Sequence, residues 1–192
     1  MGKDISKWRR KRQIQLRRRM AIFAVCMGAA AALIFMAVFL NRKSEEQSDT
    51  ESQEETEIVL TPECESYRSE VETVAKKHGM TEYVDLIMAV MMQESGGRSL
   101  DVMQCAEGVV NTKYPHVPNG ITDPSYSIDC GIQELKYALE KVECSDPTDI
   151  EKIKIALQGY NFGIDGFLAF LKEKGDVRWT EECAQEYAKY AS

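Results

Sequence analysis

Glu94 is the residue whose placement in this chain asks for a chemical reason. It falls one turn beyond Val90 and Met91 on the apolar stripe of a helix that begins near Thr81, where patterning calls for a nonpolar side chain. Burial there disfavours the charged form of a carboxyl. A place at the helix C-terminus adds the negative end of the helix dipole, so both effects are expected to raise the Glu94 pKa. A carboxylic acid still protonated near neutral pH can pass its proton to a leaving oxygen, the step that cleavage of a glycosidic bond needs. One acid on an apolar stripe is weak ground by itself, because a helix rim also accommodates a solvated Glu.

A glycoside hydrolase that inverts needs a second carboxylate as base, roughly 6.5–9.5 Å from the acid, and one that retains needs a closer nucleophile. Asp101 and Glu107 are the candidates nearest in sequence. Neither sits in a pattern that forces the role, and each reads more simply as a solvated loop acid. The two histidines, His78 and His116, and the lack of any Cys-x-x-Cys pair argue against a zinc site. No metal and no cofactor is expected.

Three short motifs strengthen the case for Glu94. They are Met92-Gln93-Glu94-Ser95-Gly96-Gly97, Asp101-Val102-Met103-Gln104 and Gln158-Gly159-Tyr160-Asn161-Phe162-Gly163. In this order and spacing the chain resembles bacterial lysozyme-like muramidase domains, the cell-wall hydrolases of conjugative elements, which are related to goose-type lysozymes and soluble lytic transglycosylases. The resemblance runs from about Tyr67 to Tyr190 and implies an all-α, lysozyme-like domain. It implies Glu94 as the catalytic acid that ends a helix and Gln104 as a glutamine lining the sugar cleft. Ser95 is implied to contact substrate beside that acid, and Tyr160 and Asn161 to face it. A Tyr hydroxyl can donate toward a carboxylate, and an Asn amide can pair with an N-acetyl group through both donor and acceptor. Core packing is the competing reading of Tyr160. Ser127, which precedes an apolar helix, reads as an N-cap.

Helices must position these groups, since apolar residues recur at helical spacing from Pro62 onward and no alternating run is long enough for a sheet. The first is expected from about Glu63 to Lys77, closing at Gly79. The second begins near Thr81 and stops at Gly96-Gly97. A third begins near Ser127 and carries Ile128, Ile132, Leu135, Leu139 and Val142 on one seam. A fourth runs from about Asp149 to a glycine bend at Gly163 and Gly166, continuing as Phe167 to Leu171, and the last spans about Thr180 to Tyr190. Between Gly96 and Pro124 lies a long loop suited to line a cleft.

Charge divides the rest of the chain. Residues 1–19 hold nine basic side chains against one acid, whereas 44–192 hold 13 basic against 30 acidic, which excludes nucleic acid as a partner of that part. Between them, Met20 to Leu40 form 21 residues without a charge, at about 1.5 Å per residue the thickness of a hydrocarbon core. The expected organisation is a cytoplasmic basic tail (1–19), a transmembrane helix (20–40), an acidic disordered stalk (41–60) and an extracytoplasmic lysozyme-like domain (61–192). The apolar run exceeds the roughly 7–15 residues of a signal peptide. Outside the span, Cys64, Cys105, Cys130, Cys144 and Cys183 would meet an oxidising compartment, where at most two bridges can join five thiols.

The function expected from these residues is a membrane-anchored peptidoglycan N-acetylmuramidase. It would cut between N-acetylmuramic acid and N-acetylglucosamine and open the wall locally for a conjugation or secretion apparatus. Two alternatives stay open. One is a lytic transglycosylase leaving anhydro-muramic ends, and the other is an inactive glycan-binding or scaffold module on the same fold.

Overall fold

The computed structural model describes residues 59–175 and 177–191. The basic tail, the expected membrane span and nearly all of the stalk lie outside the described residues. Among the described residues every regular element is a helix, and none is long and apolar enough to cross a membrane.

In the described residues seven α-helices follow one another: α1 (Pro62–Glu65), α2 (Arg68–Lys77), α3 (Val84–Glu94), α4 (Pro124–Lys141), α5 (Ile150–Phe162), α6 (Ile164–Glu173) and α7 (Glu181–Ala191). The 3-10 turn Thr81–Tyr83 leads into α3. The long helix α4 packs against α2, α5 and α6, and its seam residues Ile128, Ile132, Leu135 and Leu139 are all buried. Phe167 and Leu171 of α6, Ile153 of α5 and Val71 of α2 close over that seam. A buried side chain of this size contributes about 1.5–3 kcal/mol, so α4 is the axis on which the domain is built.

Three expected boundaries are corrected. The first helix is two, because Ser66 and Tyr67 turn the chain: the Ser66 hydroxyl donates to the Glu63 carbonyl at 2.6 Å and competes with helical pairing. The third helix starts three residues earlier than Ser127, at Pro124, because Asp123 caps it by accepting from the amides of Ser125 and Tyr126. The fourth bends at Gly163 as expected, where φ is 89° and a side chain would resist it, but not at Gly166, which lies within α6 against the Tyr187 hydroxyl.

Candidate functional site

Glu94 is the last residue of α3 and is half-buried. The corner after it is built tightly. The amide of Ser95 donates to the Met91 carbonyl and that of Gly96 to Met91 and Met92, closing the helix with left-handed glycines at 96 and 97. Gly97 lies so close to α1 that a Cβ on it would meet Cys64 N at 2.5 Å. The Thr61 hydroxyl donates to the Gly96 carbonyl at 2.6 Å and also caps α1 by accepting from Cys64 N. Chain entry, α1 and the end of α3 thus hold one another, and the Glu94 backbone is fixed by residues 30 or more positions away.

The segment from Ser95 to Asp123 has no helix or strand and is ordered instead by side chains. Ser95 donates to the Val102 carbonyl at 2.7 Å and accepts from Gly97 N at 3.0 Å, so its hydroxyl shapes the corner beside Glu94. Gln104 has a positive φ of 51°, and its amide nitrogen donates to Asp101 O at 2.8 Å, Ser99 Oγ at 3.3 Å and Asn119 Oδ1 at 2.6 Å. Buried Asn111 donates to the Ala106 and Tyr114 carbonyls and accepts from the amides of Lys113 and Tyr114.

Asp101 is not the solvated loop acid expected of it. It is 1 % exposed, and its carboxylate accepts from Ser127 Oγ at 2.7 Å, Cys105 N at 3.2 Å and Ala106 N at 3.1 Å. Ser127 is likewise not the cap of α4. It is buried one turn inside, where its hydroxyl joins Asp101 and accepts from Met103 N at 3.0 Å. Together the pair docks the Asp101–Gln104 stretch on α4, where Gly131 leaves room for the Met103 side chain. Glu107 is half-buried in the same loop.

Tyr160, on α5, donates its hydroxyl to the Met103 carbonyl at 2.9 Å instead of to a carboxylate. Burial pushes its pKa well above the ordinary tyrosine value, and the nearby charges of Cys105, Glu94, Glu134 and Asp101 add to the effect. Asn161 is half-buried beside Tyr160 and its amide donates to the Leu157 carbonyl at 3.1 Å. The fold brings Glu94, Ser95, Asp101, Gln104 and Tyr160 to one region where the end of α3, the loop and α5 meet.

Glu134 escaped the sequence reading. It lies on α4, and its carboxyl is tucked against the Gly108 backbone and accepts from Val110 N at 3.4 Å. Burial pushes its pKa up to about 7; the Val110 amide pulls the other way, and the charge of Asp101 adds to the rise. The signal was there in the small residues one turn before it, Cys130 and Gly131, which mark a helix face crowded by backbone. Cys105 and Cys130 also meet here, and all five cysteines among the described residues are free thiols, so the expected bridges do not form. Among the described residues no group of three or more His, Cys, Asp or Glu side chains could hold a metal ion.

The Lysozyme-like family model matches residues 61–192. The bifunctional muramidase/DL-endopeptidase CwlT of Bacillus subtilis is 36% identical over 132 residues, covering 69% of this chain and 36% of that protein. The uncharacterized membrane protein YocA of Bacillus subtilis is 28% identical over 159 residues, covering 83% of this chain and 64% of that one. Among solved structures, a lipoprotein-like protein of the NLP/P60 family from Staphylococcus aureus matches with a TM-score of 0.55 and 31% identity, over 70% of this chain and 41% of that one. The chain thus spans between about a third and two thirds of the length of these relatives.

Proposed function

Because the chain belongs to the lysozyme-like family, we propose that its domain is a peptidoglycan N-acetylmuramidase in which Glu94 is the general acid. The observation that carries this reading is the corner at the end of α3, where the left-handed glycines 96 and 97, packed against Cys64 of α1, fix a half-buried Glu94 as the last residue of its helix. A half-buried carboxyl at a rigid helix end is held where it can protonate a glycosidic oxygen, while the leaving bond develops positive charge on the sugar carbon. In this reading the side-chain amides of Gln104 and Asn161 serve the N-acetyl and hydroxyl groups of the glycan, while Ser95, whose hydroxyl is taken up by the Val102 carbonyl and the Gly97 amide, shapes the corner that holds Glu94. The muramidase name of CwlT, the relative at 36% identity, supports the same substrate.

The lytic transglycosylase reading draws support from one observation. The Asp101 carboxylate is occupied by the Ser127 hydroxyl and two backbone amides, so it is poorly placed to activate water. In a transglycosylase the 6-hydroxyl of the muramic acid itself attacks the anomeric carbon and Glu94 serves as both acid and base. Digestion of purified peptidoglycan with the full chain, followed by mass analysis, decides between them: reducing muramic ends support the muramidase, anhydro ends the transglycosylase, and intact glycan the inactive binding module.

The same proposal places the domain outside the membrane, on the 20–40 span. A match to a membrane protein over 83% of the chain supports this, because residues 59–192 are too few to supply that coverage and it must extend into the preceding segment. Tethering would offset the acidic charge of the domain, which gives no attraction toward an anionic wall. Protease accessibility of the domain on intact cells, with the N-terminal tail protected, is the expected topology.

A further inference from the structure

Several anchors hold the Asp101–Asn111 loop against the helices. Ser127 on α4 binds Asp101 and the Met103 amide, Tyr160 on α5 binds the Met103 carbonyl, and Asn111 closes the far end on Ala106 and Tyr114. The remaining one is Glu134, which receives the Val110 amide and fills the space that any side chain at Gly108 would take. Ser127 and Asn111 do not titrate, and burial keeps the Tyr160 hydroxyl protonated far above neutrality. Glu134 differs from them, since burial brings its ionisation to about pH 7. Its one amide contact, at 3.4 Å, is too long to hold a carboxylate out of water.

We propose that Glu134 is a positioning residue for the glycan-cleaving site: uncharged, it seats the Gly108–Val110 stretch on α4, and, once ionised, it draws in water and slackens the loop that carries Met103 and Gln104. The inference rests on the functional reading above. The groups that bear on Glu134 are Asp101 and Cys105 from the loop, Cys130 from its own helix and Tyr160 from α5, and the charge of Glu94 on α3 bears on Tyr160 as well. On the α2 side, Lys77 and His78 are engaged with Asp129, and on the α6 side Asp165 takes Lys141 and Tyr137. These charges answer one another and leave Glu134 to burial.

The sign of the effect on stability follows. A carboxyl whose folded pKa lies above its ordinary value near 4.5 binds more proton in the folded state, so stability is lost as pH rises from about 4.5 through about 7 and does not return above it. The test uses the full chain in detergent micelles, with Glu134→Gln and Glu134→Ala, read by thermal melting from pH 5 to 8.5 and by kcat and KM on soluble glycan strands. The wild type is expected to melt several degrees lower at pH 8 than at pH 5 and to lose kcat/KM above neutrality, about tenfold per unit and mainly through KM. Glu134→Gln keeps the shape and the acceptor without the charge. It should melt at or above the wild type at pH 8 and carry the alkaline limb at least one unit higher, while Glu134→Ala weakens binding at every pH. A limb that stays in place in Glu134→Gln overturns the proposal, whether or not the melting curve changes. So does a Glu134→Gln protein that melts lower than the wild type at pH 8. A wild type that cuts no glycan at any pH overturns the functional reading instead, and the melting arm still decides whether Glu134 seats the loop.

Discussion

The Ser127 hydroxyl donates to Asp101 Oδ1 at 2.7 Å, and both side chains are buried. This bond joins α4 to the loop that follows Glu94, across 26 residues of sequence, and makes a structural fastening of an acid that sequence proximity alone offered as a catalytic base. Removing one partner leaves the other unsatisfied, which costs more than the bond itself contributes. Ser127→Ala is therefore expected to lower stability by about 1–3 kcal/mol, because it strands both the Asp101 oxygen and the Met103 amide. Urea unfolding measures this, and a loss below a few tenths of a kcal/mol would show that the fastening is not needed.

Asp101→Asn separates the two roles open to that residue. As a fastening, it should lose stability while retaining glycan cleavage when assayed well below its melting temperature. Full stability combined with a loss of cleavage on the order of 10²-fold or more would make Asp101 the water-activating base after all.

Glu94→Gln should leave the helix end and its glycine corner unchanged and abolish glycan cleavage. The amide cannot protonate the leaving oxygen, a contribution of about 10²–10⁴-fold. Its thermal stability should equal or slightly exceed that of the wild type, since a half-buried acid at the negative end of a helix is kept for function at some cost in stability. Release of soluble fragments from labelled peptidoglycan is the readout, and normal release would remove Glu94 from the reaction.

Gly97→Ala tests the corner that carries Glu94. The left-handed φ of 74° costs a non-glycine residue roughly 1–2 kcal/mol, and the new methyl would press on the Cys64 backbone. Both melting temperature and kcat should fall, because the strain moves the helix end relative to α1. The change at Gly79, whose φ is similar but whose surroundings are open, should cost stability alone.

Thiol alkylation of the native full chain should label Cys144 and Cys183 first, as they are half-buried, and leave Cys64, Cys105 and Cys130 slow, since all three are buried. Unfolding without reductant should then expose all five to reagent. Peptide mapping by mass spectrometry reads each site, and a bridge found between any two would contradict the free thiols of the fold.

The sequence alone determined the helical class, the seam of α4 through Ile128, Ile132, Leu135 and Leu139, the glycine break at Gly163 and the singular placement of Glu94. Each of these is a local pattern: a period of 3.6 residues, a left-handed position or one acid on an apolar stripe. What only the tertiary structure decided is which polar side chains face one another. Asp101 looked solvated because the amides of Cys105 and Ala106 that it accepts from leave no mark in a side-chain pattern, and its hydroxyl partner comes from α4. Ser127 looked like a cap because it precedes an apolar run, but Asp123 takes that role and frees the hydroxyl for the core. Glu134 drew no notice on an otherwise amphipathic helix, and only the fold of the Gly108–Val110 backbone over it buries its carboxyl. Burial and partnership of polar groups arise from contacts between segments far apart in the chain, and periodicity carries no record of those contacts.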